Sequence, residues 1–195
     1  MSLIFATSAT LGIALAQAAA PASVPPPIEQ SSADCARPTY ASDMLVCGDS
    51  DLRRLDSQLA DFVRRAPLEA TALIESDSAW FKRRSRCAFA ADHSACLASA
   101  YEERLTVRVA LVSSPETDSK IATCKGTQPL TGALLTSVSD APILLIRDAA
   151  TGKGIGVALV PAAKDAPWQP FASVTRKGKR VRITTLGGDS WQCRA

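Results

Sequence analysis

The spacing of hydrophobic and polar positions changes its period near residue 115. Between residues 50 and 112, apolar residues recur every three or four positions, a pattern that predicts amphipathic helices. After residue 120, short runs rich in β-branched residues are separated by glycine-containing turns, which predicts strands. The sequence therefore predicts an α+β fold, with a small three-helix domain over residues 34–112 and a small antiparallel β domain, a sheet or barrel, over residues 120–195.

Three helices account for the apolar positions of the first half. The first follows Gly48, where Asp49 or Ser50 can cap the helix. The second is predicted from Leu68 to Cys87, because Leu73, Trp80 and Cys87 repeat every seven residues. The third follows a loop that contains His93 and directs Leu97, Tyr101 and Leu105 inward. Ahead of them, only a short helical turn is expected, from Tyr40 to Val46.

Two hairpins and a final strand are predicted in the second half. Ile143 to Arg147 and Ile155 to Val160 flank a turn that contains glycine. Phe171 to Thr175 and Arg180 to Leu186 form a second pair, and Ser190 to Arg194 is the last strand.

The first 33 residues are typical of an exported protein. Residues 1–20 resemble a signal peptide, with an apolar run and a small-residue cleavage site, although no Lys or Arg precedes the run. An uncleaved anchor is the alternative, but the run is short for a span of about 20 residues. Residues 21–33 form a Pro/Ser-rich linker, and residues 113–119 a second linker. We therefore expect a periplasmic or secreted protein that is not integral to a membrane after cleavage.

The six cysteines are expected to form disulfides, because their spacing lacks the short C-x2–4-C pairs of a structural zinc site. The favoured pairing keeps each bridge within one local unit and joins Cys35 to Cys47, Cys87 to Cys96 and Cys124 to Cys193. The alternative joins Cys35 to Cys87 or to Cys96. No metal and no cofactor are predicted.

An ordered set of residues runs through the predicted helical domain. Its members are Cys35, Val46-Cys47, Leu55-Asp56, Trp80, Arg84, Cys87, Cys96-Leu97, Tyr101 and Arg104. Their order and spacing resemble the N-terminal domain of the LprI-type lysozyme inhibitors, over about two-fifths of the chain. The resemblance implies an exported, disulfide-stabilised helical domain. It also implies lysozyme as a partner, because some members of that family are described as lysozyme inhibitors.

Helical spacing favours a structural role for the aromatic and basic members of this set. Trp80 and Tyr101 are expected to pack between the second and third helices. Arg84 and Arg104 are expected to bind carboxylates such as Asp56 across the bundle. A direct role in gripping a partner is the less favoured alternative.

Charge is distributed unevenly along the chain. The net charge of +3 combines −2 over residues 29–115 with +5 over residues 116–195. Much of the excess lies at a predicted hairpin tip, in Arg176, Lys177, Lys179, Arg180 and Arg182. These cations are either a solubilising turn, which is the blander interpretation, or a contact for anionic envelope polymer or lipid headgroups. Export and the lack of interleaved aromatic residues disfavour a nucleic-acid partner.

No catalytic constellation is apparent, so the sequence predicts a binding protein and not an enzyme. His93, the single histidine, has no recognisable nucleophile partner in the sequence. The leading hypothesis is binding to lysozyme or another envelope protein. A chain of net charge +3 repels cationic lysozymes at long range, so inhibition would depend on local shape. The alternative is an envelope structural or stress protein whose basic β domain contacts anionic polymer or lipid headgroups.

Overall fold

The computed structural model describes residues 32–112, 120–126, 130–138 and 143–194. The predicted signal peptide, most of the first predicted linker and the whole of the second lie outside the described residues. Within them, helices precede strands, and the predicted α+β class is confirmed.

The helical segment contains four α-helices among the described residues. They are α1 (Ala41–Gly48), α2 (Ser50–Arg65), α3 (Asp77–Arg84) and α4 (His93–Val112), with a 3-10 helix at Ser85–Phe89. Helix α1 is a full helix of eight residues where only a turn is expected from the sequence. The predicted cap of α2 is confirmed, because the Asp49 carboxylate accepts hydrogen bonds from the backbone N–H groups of Asp51 and Leu52.

The predicted helix from Leu68 to Cys87 is wrong over its first half. Residues 68–76 are extended or turn-like, and α3 begins only after the Ser76 side chain caps it. Leu73 forms an isolated parallel bridge with Gly156 of the sheet, and the Thr71 hydroxyl donates to the Ile155 carbonyl at 2.8 Å. The seven-residue repeat is misleading because Leu73 packs into the core of the sheet, whereas Trp80 and Cys87 pack among the helices.

Seven strands form one sheet in the order β4-β3-β2-β1-β7-β6-β5. The strands are β1 (Lys120–Gly126), β2 (Leu130–Val138), β3 (Ile143–Asp148), β4 (Gly154–Ala158), β5 (Ala172–Lys177), β6 (Arg180–Thr185) and β7 (Ser190–Arg194). Every pairing between neighbours in this order is antiparallel. The two hairpins and the last strand are confirmed, whereas β1 and β2 are not anticipated from the sequence.

A short parallel bridge joins the outer strands β4 and β5. The N–H of Leu159, just after β4, donates to the Ala172 carbonyl at 3.0 Å, and its carbonyl accepts from the N–H of Val174 at 2.7 Å. The sheet therefore closes on itself as a small barrel. Its interior holds apolar side chains from both halves of the sheet, with Trp191 and Ile183 among the largest.

The helical segment packs directly on this barrel. Leu73 enters the barrel core beside Gly156, where an added Cβ would lie 2.6 Å from the Leu73 Cβ. Helix α4 covers the outer side of β3 and β4 through a cluster that joins Val107 to Leu145 and Val157. The outer side of β1, β5, β6 and β7 carries the charged residues described below.

All six cysteines are paired, in the connectivity favoured from the sequence. The bridges are Cys35–Cys47, Cys87–Cys96 and Cys124–Cys193. The first ties the N-terminal segment to α1, the second joins the 3-10 helix to α4, and the third links register partners on β1 and β7. Three disulfides are compatible with a protein from an oxidising compartment. No helix in the described part of the chain is both long enough and apolar enough to span a membrane.

Candidate functional site

Most of the ordered residues of the helical segment lie in its interior, whereas Cys35 is exposed and Cys47 and Leu55 are half-buried. Trp80 and Tyr101 are fully buried and meet edge to face, with ring centroids 5.5 Å apart. Leu97 lies in the same buried cluster, and Leu55 packs against it from a half-buried position. The structural role expected for the aromatic residues is therefore confirmed.

Both arginines bind carboxylates across the bundle, as expected, but their partners are Asp43 and Asp77 and not Asp56. Arg84 donates to Asp43 at 2.6 Å, and both side chains are 0% exposed. Arg104 donates to Asp77 at 2.7 Å and to the Glu75 carbonyl at 2.9 Å. The pairing with Asp43 is missed because only a turn is expected from Tyr40 to Val46, whereas the structure has a helix there that buries Asp43.

Asp56 has neutral partners instead of an arginine. Its carboxylate accepts from the Tyr101 hydroxyl at 2.7 Å and from the Ala33 N–H at 3.2 Å. Burial raises the pKa of Asp56 above its usual range, although the Tyr101 and Ala33 hydrogen bonds oppose the shift. Burial likewise raises the pKa of the Tyr101 hydroxyl. These groups fix the packing of α2 against α4.

Asp77 collects three hydrogen bonds at the start of α3. Its carboxylate accepts from Arg104, from Arg108 and from the Leu68 N–H, the last at 2.9 Å. Burial opposes ionisation of this carboxyl, but together these bonds hold the pKa of Asp77 below its usual value. Through these hydrogen bonds, Asp77 links the extended segment that precedes α3 to the helices.

A second ionic cluster connects the helices with the loop between β4 and β5. Arg83 donates to Glu75 at 2.8 Å and to the Gln169 carbonyl at 3.0 Å, and it lies 3.9 Å from the centre of the Trp168 ring. Glu103 accepts from the Phe171 N–H at 3.2 Å. Burial raises the pKa of Glu103 despite the nearby Arg83 guanidinium.

His93 is the first residue of α4, and its Nε2 lies 3.1 Å from the Ser42 hydroxyl. This contact resembles a nucleophile–base pair in distance only, because Ser42 is 0% exposed and no substrate can reach it. Asp92 caps α4, since its carboxylate accepts from the Ala95 N–H at 2.8 Å. Burial, and then the charge of Arg84, lowers the pKa of His93. The arrangement is structural.

An exposed face of the barrel carries basic residues in two rows that cross the strands. In the first row Lys177, Arg180 and Arg194 are successive register partners on β5, β6 and β7. In the second row Arg182 on β6 and Lys125 on β1 flank a glutamine on β7. All five side chains are exposed.

The alternation of the strands directs these two rows away from the barrel core. Val181 and Ile183 alternate with the exposed arginines of β6, and both are buried. On β7, Trp191 and Cys193 are likewise buried and alternate with exposed side chains. The apolar interior therefore fixes which side chains of β6 and β7 form the exposed rows.

The basic rows line a groove of about 850 Å³. Among the lining residues that the structure describes, six are Lys or Arg and none is acidic. Within the described ranges, none of these six cations takes part in a salt bridge, whereas Arg83, Arg84, Arg104 and Arg108 all do. We call this surface the basic groove.

The structure divides the five predicted surface cations. Lys177, Arg180 and Arg182 lie in the two rows. Arg176 lines the groove but is the register partner of the inward Val181, and Lys179 occupies the turn between β5 and β6. All five are exposed.

Sequence reasoning missed two cations of the groove, Lys125 and Arg194. Each directly follows one cysteine of the pair predicted to join β1 and β7. A cross-strand pair with both sulfurs inward places the next residue of each strand on the outer face. The predicted bridge therefore contained the signal needed to find both residues.

No family model, curated protein or solved structure matches this chain. The resemblance to the LprI-type inhibitors consequently stays a prediction, and the candidate site rests on the geometry of this chain. No cluster of three or more His, Cys, Asp or Glu side chains suited to a metal ion occurs in the part of the chain that the structure describes.

Proposed function

We propose that this chain is an exported binding protein, periplasmic or secreted, that contacts an anionic polymer of the cell envelope through its basic groove. One observation carries the proposal: the described lining of the groove gathers six cations and contains no acidic residue. In the helical segment, by contrast, the buried or half-buried Arg83, Arg84 and Arg104 are matched with carboxylates. The cations of the groove are therefore available to a partner.

Electrostatic repulsion within the groove supports an anionic partner. Lys177 stands opposite Arg180, which in turn stands opposite Arg194. Like charges at directly opposed positions destabilise a sheet. A bound polyanion neutralises these charges and releases its own counterions, so its affinity falls as salt concentration rises.

The shape and composition of the groove favour a polymer over a lipid surface. The groove is a concave surface on strands, and its only large aliphatic side chain, Val181, is buried. Peripheral binding to lipid commonly adds exposed apolar side chains that enter the headgroup boundary. A chain-like polyanion needs only a line of accessible cations, which the two rows supply.

The rest of the molecule supports binding without catalysis. The one contact that resembles a catalytic pair, Ser42 with His93, is closed to substrate. The disulfides and the closed barrel hold the groove in one arrangement, which limits the entropy lost when a partner binds.

The test is a salt-dependent binding measurement with the oxidised protein. Fluorescent dextran bearing phosphate or carboxymethyl groups is titrated with protein, uncharged dextran serves as control, and phosphatidylglycerol vesicles form a separate arm. We expect binding to charged dextran that weakens steeply with salt. The double variant Arg180→Gln/Arg182→Gln should weaken it, whereas Lys164→Gln, which removes an exposed charge from the β4–β5 loop, should not. Binding to vesicles alone, or to no charged probe, contradicts the proposal.

Lysozyme inhibition is the second candidate, and the resemblance described above supports it. The apolar residues that carry the resemblance, such as Val46, Trp80 and Tyr101, pack into one core, and two bridges staple the segment, as a helical domain of that kind requires. The test is a titration of several lysozyme types with the oxidised protein while cell-wall lysis is followed. Stoichiometric inhibition that persists in the Arg180→Gln/Arg182→Gln variant favours this candidate. Full lysis with every lysozyme type at micromolar protein contradicts it.

A further inference from the structure

We infer that the basic groove selects phosphate monoester groups carried on a polysaccharide over carboxylate groups, and that Lys177, Arg180 and Arg194 form the phosphate site. This inference rests on the proposed polyanion binding and adds the chemical class of the recognised group. The three residues are called the cation row below.

The cation row brings three positive side chains to one place. Its members are consecutive register partners across β5, β6 and β7. Neighbouring strands lie about 4.8 Å apart, so the three Cα positions span roughly 10 Å. Lys and Arg side chains are long enough to reach across that distance to a single group above Arg180, the central member.

A phosphate monoester fits three converging cations better than a carboxylate does. The phosphate has three free oxygens in a tetrahedral arrangement and a charge of about −1.5 to −2 at neutral pH. A carboxylate has two coplanar oxygens and one charge, which a single Arg fork satisfies. The three cations carry a charge of +3, so a carboxylate in the cation row leaves about +2 uncompensated, whereas a phosphate leaves only about +1 to +1.5.

The second row supplies general attraction and not a second convergent site. Arg182 and Lys125 stand on either side of Gln192, two strands apart. Two positive charges roughly 10 Å apart attract any neighbouring anionic group of a polymer, but they do not enclose a single group. Substitution in this row should therefore weaken the binding of phosphate and carboxylate polymers to the same extent. This expectation separates the two rows experimentally.

The experiment compares two dextrans of equal chain length and equal charge content, one phosphorylated and one carboxymethylated. Titrations at fixed salt give the ratio of their dissociation constants. We expect the phosphorylated polymer to bind about tenfold more tightly to the unsubstituted protein, the gain from one additional charge-assisted contact. Equal affinities, or tighter binding of the carboxymethyl polymer, overturn the inference and leave the proposed function intact. Failure of both polymers to bind overturns the proposed function itself.

Variants then locate the selectivity within the groove. Arg180→Gln, and separately Arg194→Gln, should reduce the ratio to near one, since each removes a member of the cation row. Arg182→Gln should weaken the binding of both polymers and leave the ratio of their dissociation constants unchanged. Lys164→Gln should alter neither the affinities nor their ratio. Because every substituted side chain is exposed, a thermal midpoint no lower than that of the unsubstituted protein checks that each variant is folded. Selectivity that survives in both cation-row variants, or that disappears in Arg182→Gln, overturns the assignment.

Discussion

At the residue scale, buried charges dominate the helical segment. The pair of Arg84 with Asp43 is wholly buried, and the Arg84 guanidinium also lies 4.0 Å from the centre of the Phe81 ring. Two further guanidinium nitrogens of Arg84 and one oxygen of Asp43 have no hydrogen-bond partner in the structure. The pair is therefore tolerated only while both partners are present, because removal of either one leaves an uncompensated buried charge.

We predict that Arg84→Met destabilises the protein by about 3–5 kcal/mol, since Asp43 then remains buried without its partner. The free energy of unfolding is measured by urea denaturation followed by circular dichroism. Arg54→Met is the matched control, because Arg54 pairs with Asp51 on the exposed side of α2 and should cost less than about 1 kcal/mol. The double variant Arg84→Met/Asp43→Leu should recover much of the loss. Equal losses in Arg84→Met and the control contradict the prediction.

Glu103 gives the protein a pH dependence of definite sign. Burial raises its pKa in the folded state above the model-peptide value of 4.5. As pH rises past that value, the unfolded chain ionises first, so the free energy of unfolding falls until the folded-state pKa is passed. This contribution to stability is full at low pH and is lost as pH increases.

We predict that Glu103→Gln removes this dependence while keeping an acceptor for the Phe171 N–H. The stability advantage of the unsubstituted protein over the variant should shrink between pH 4.5 and 7. Because His93 and Asp56 titrate in both proteins, the difference isolates Glu103. Urea denaturation across this range is the measurement, and a difference that grows with pH contradicts the prediction.

At the element scale, the segment before α3 acts as part of the barrel. Leu73 occupies the space that a side chain at Gly156 would need, since the added Cβ would meet the Leu73 Cβ at 2.6 Å. Both residues belong to the single contact that inserts the helical segment into the sheet. Their substitutions should therefore interact.

We predict that Leu73→Ala costs about 2–5 kcal/mol from the cavity it leaves and that Gly156→Ala costs about 1–3 kcal/mol from overpacking. Combined, they should cost less than the sum, because a smaller residue at 73 leaves space near the new methyl group. A double-mutant cycle in urea measures the coupling. Gly152→Ala combined with Leu73→Ala is a distant control, expected to be additive because nothing lies within 4 Å of a Cβ at Gly152. Additivity of the Leu73–Gly156 pair contradicts the prediction.

Local patterns predict the elements whose apolar spacing matches their own secondary structure and miss those whose spacing does not. The sequence predicts β3 to β7 because their β-branched runs are bounded by turn residues, and α4 because its apolar positions recur at helical spacing. It misses the extended segment at residues 68–76, where Leu73 keeps helical spacing but packs into the barrel. It also misses β1 and β2, whose small and polar residues give no strict alternation.

The cations of the candidate site are likewise predicted only in part from local sequence patterns. The hairpin cations Arg180 and Arg182 can be found from the local run of basic residues. Lys125 and Arg194 lie outside that run of basic residues. Only the pairing of β1 with β7, and of β7 with β6, brings them beside the hairpin. The local run of charge therefore finds four of the six cations of the groove, and strand order supplies the other two.

At the scale of the whole molecule, charge is balanced inside and unbalanced on one face. The ion pairs of Arg83, Arg84 and Arg104 are satisfied by carboxylates of the helical segment. The basic groove concentrates the positive excess on the outer side of β1, β5, β6 and β7. A face of like charges costs stability in the absence of a partner.

We predict that Arg194→Gln stabilises the protein in the absence of any polymer, by about 0.2–1 kcal/mol at low salt, because Arg180 then loses an opposed like charge. The gain should shrink when salt is added, since screening weakens the same repulsion in the unsubstituted protein. Urea denaturation at low and high sodium chloride measures both effects. Lys164→Gln, with no charged register partner, should show neither, and a destabilised Arg194→Gln variant contradicts the prediction.

The connectivity of the barrel also imposes an order in time. Two disulfides close short stretches, with sequence separations of 12 and 9, and the third spans 69. Short loops close at lower entropic cost, so the helical bridges can form while the sheet is still unpaired. The bridge between β1 and β7 must wait until Cys193 is available and aligned with Cys124. The basic groove straddles that seam, so we expect it to be covalently fixed only after the two helical bridges have formed.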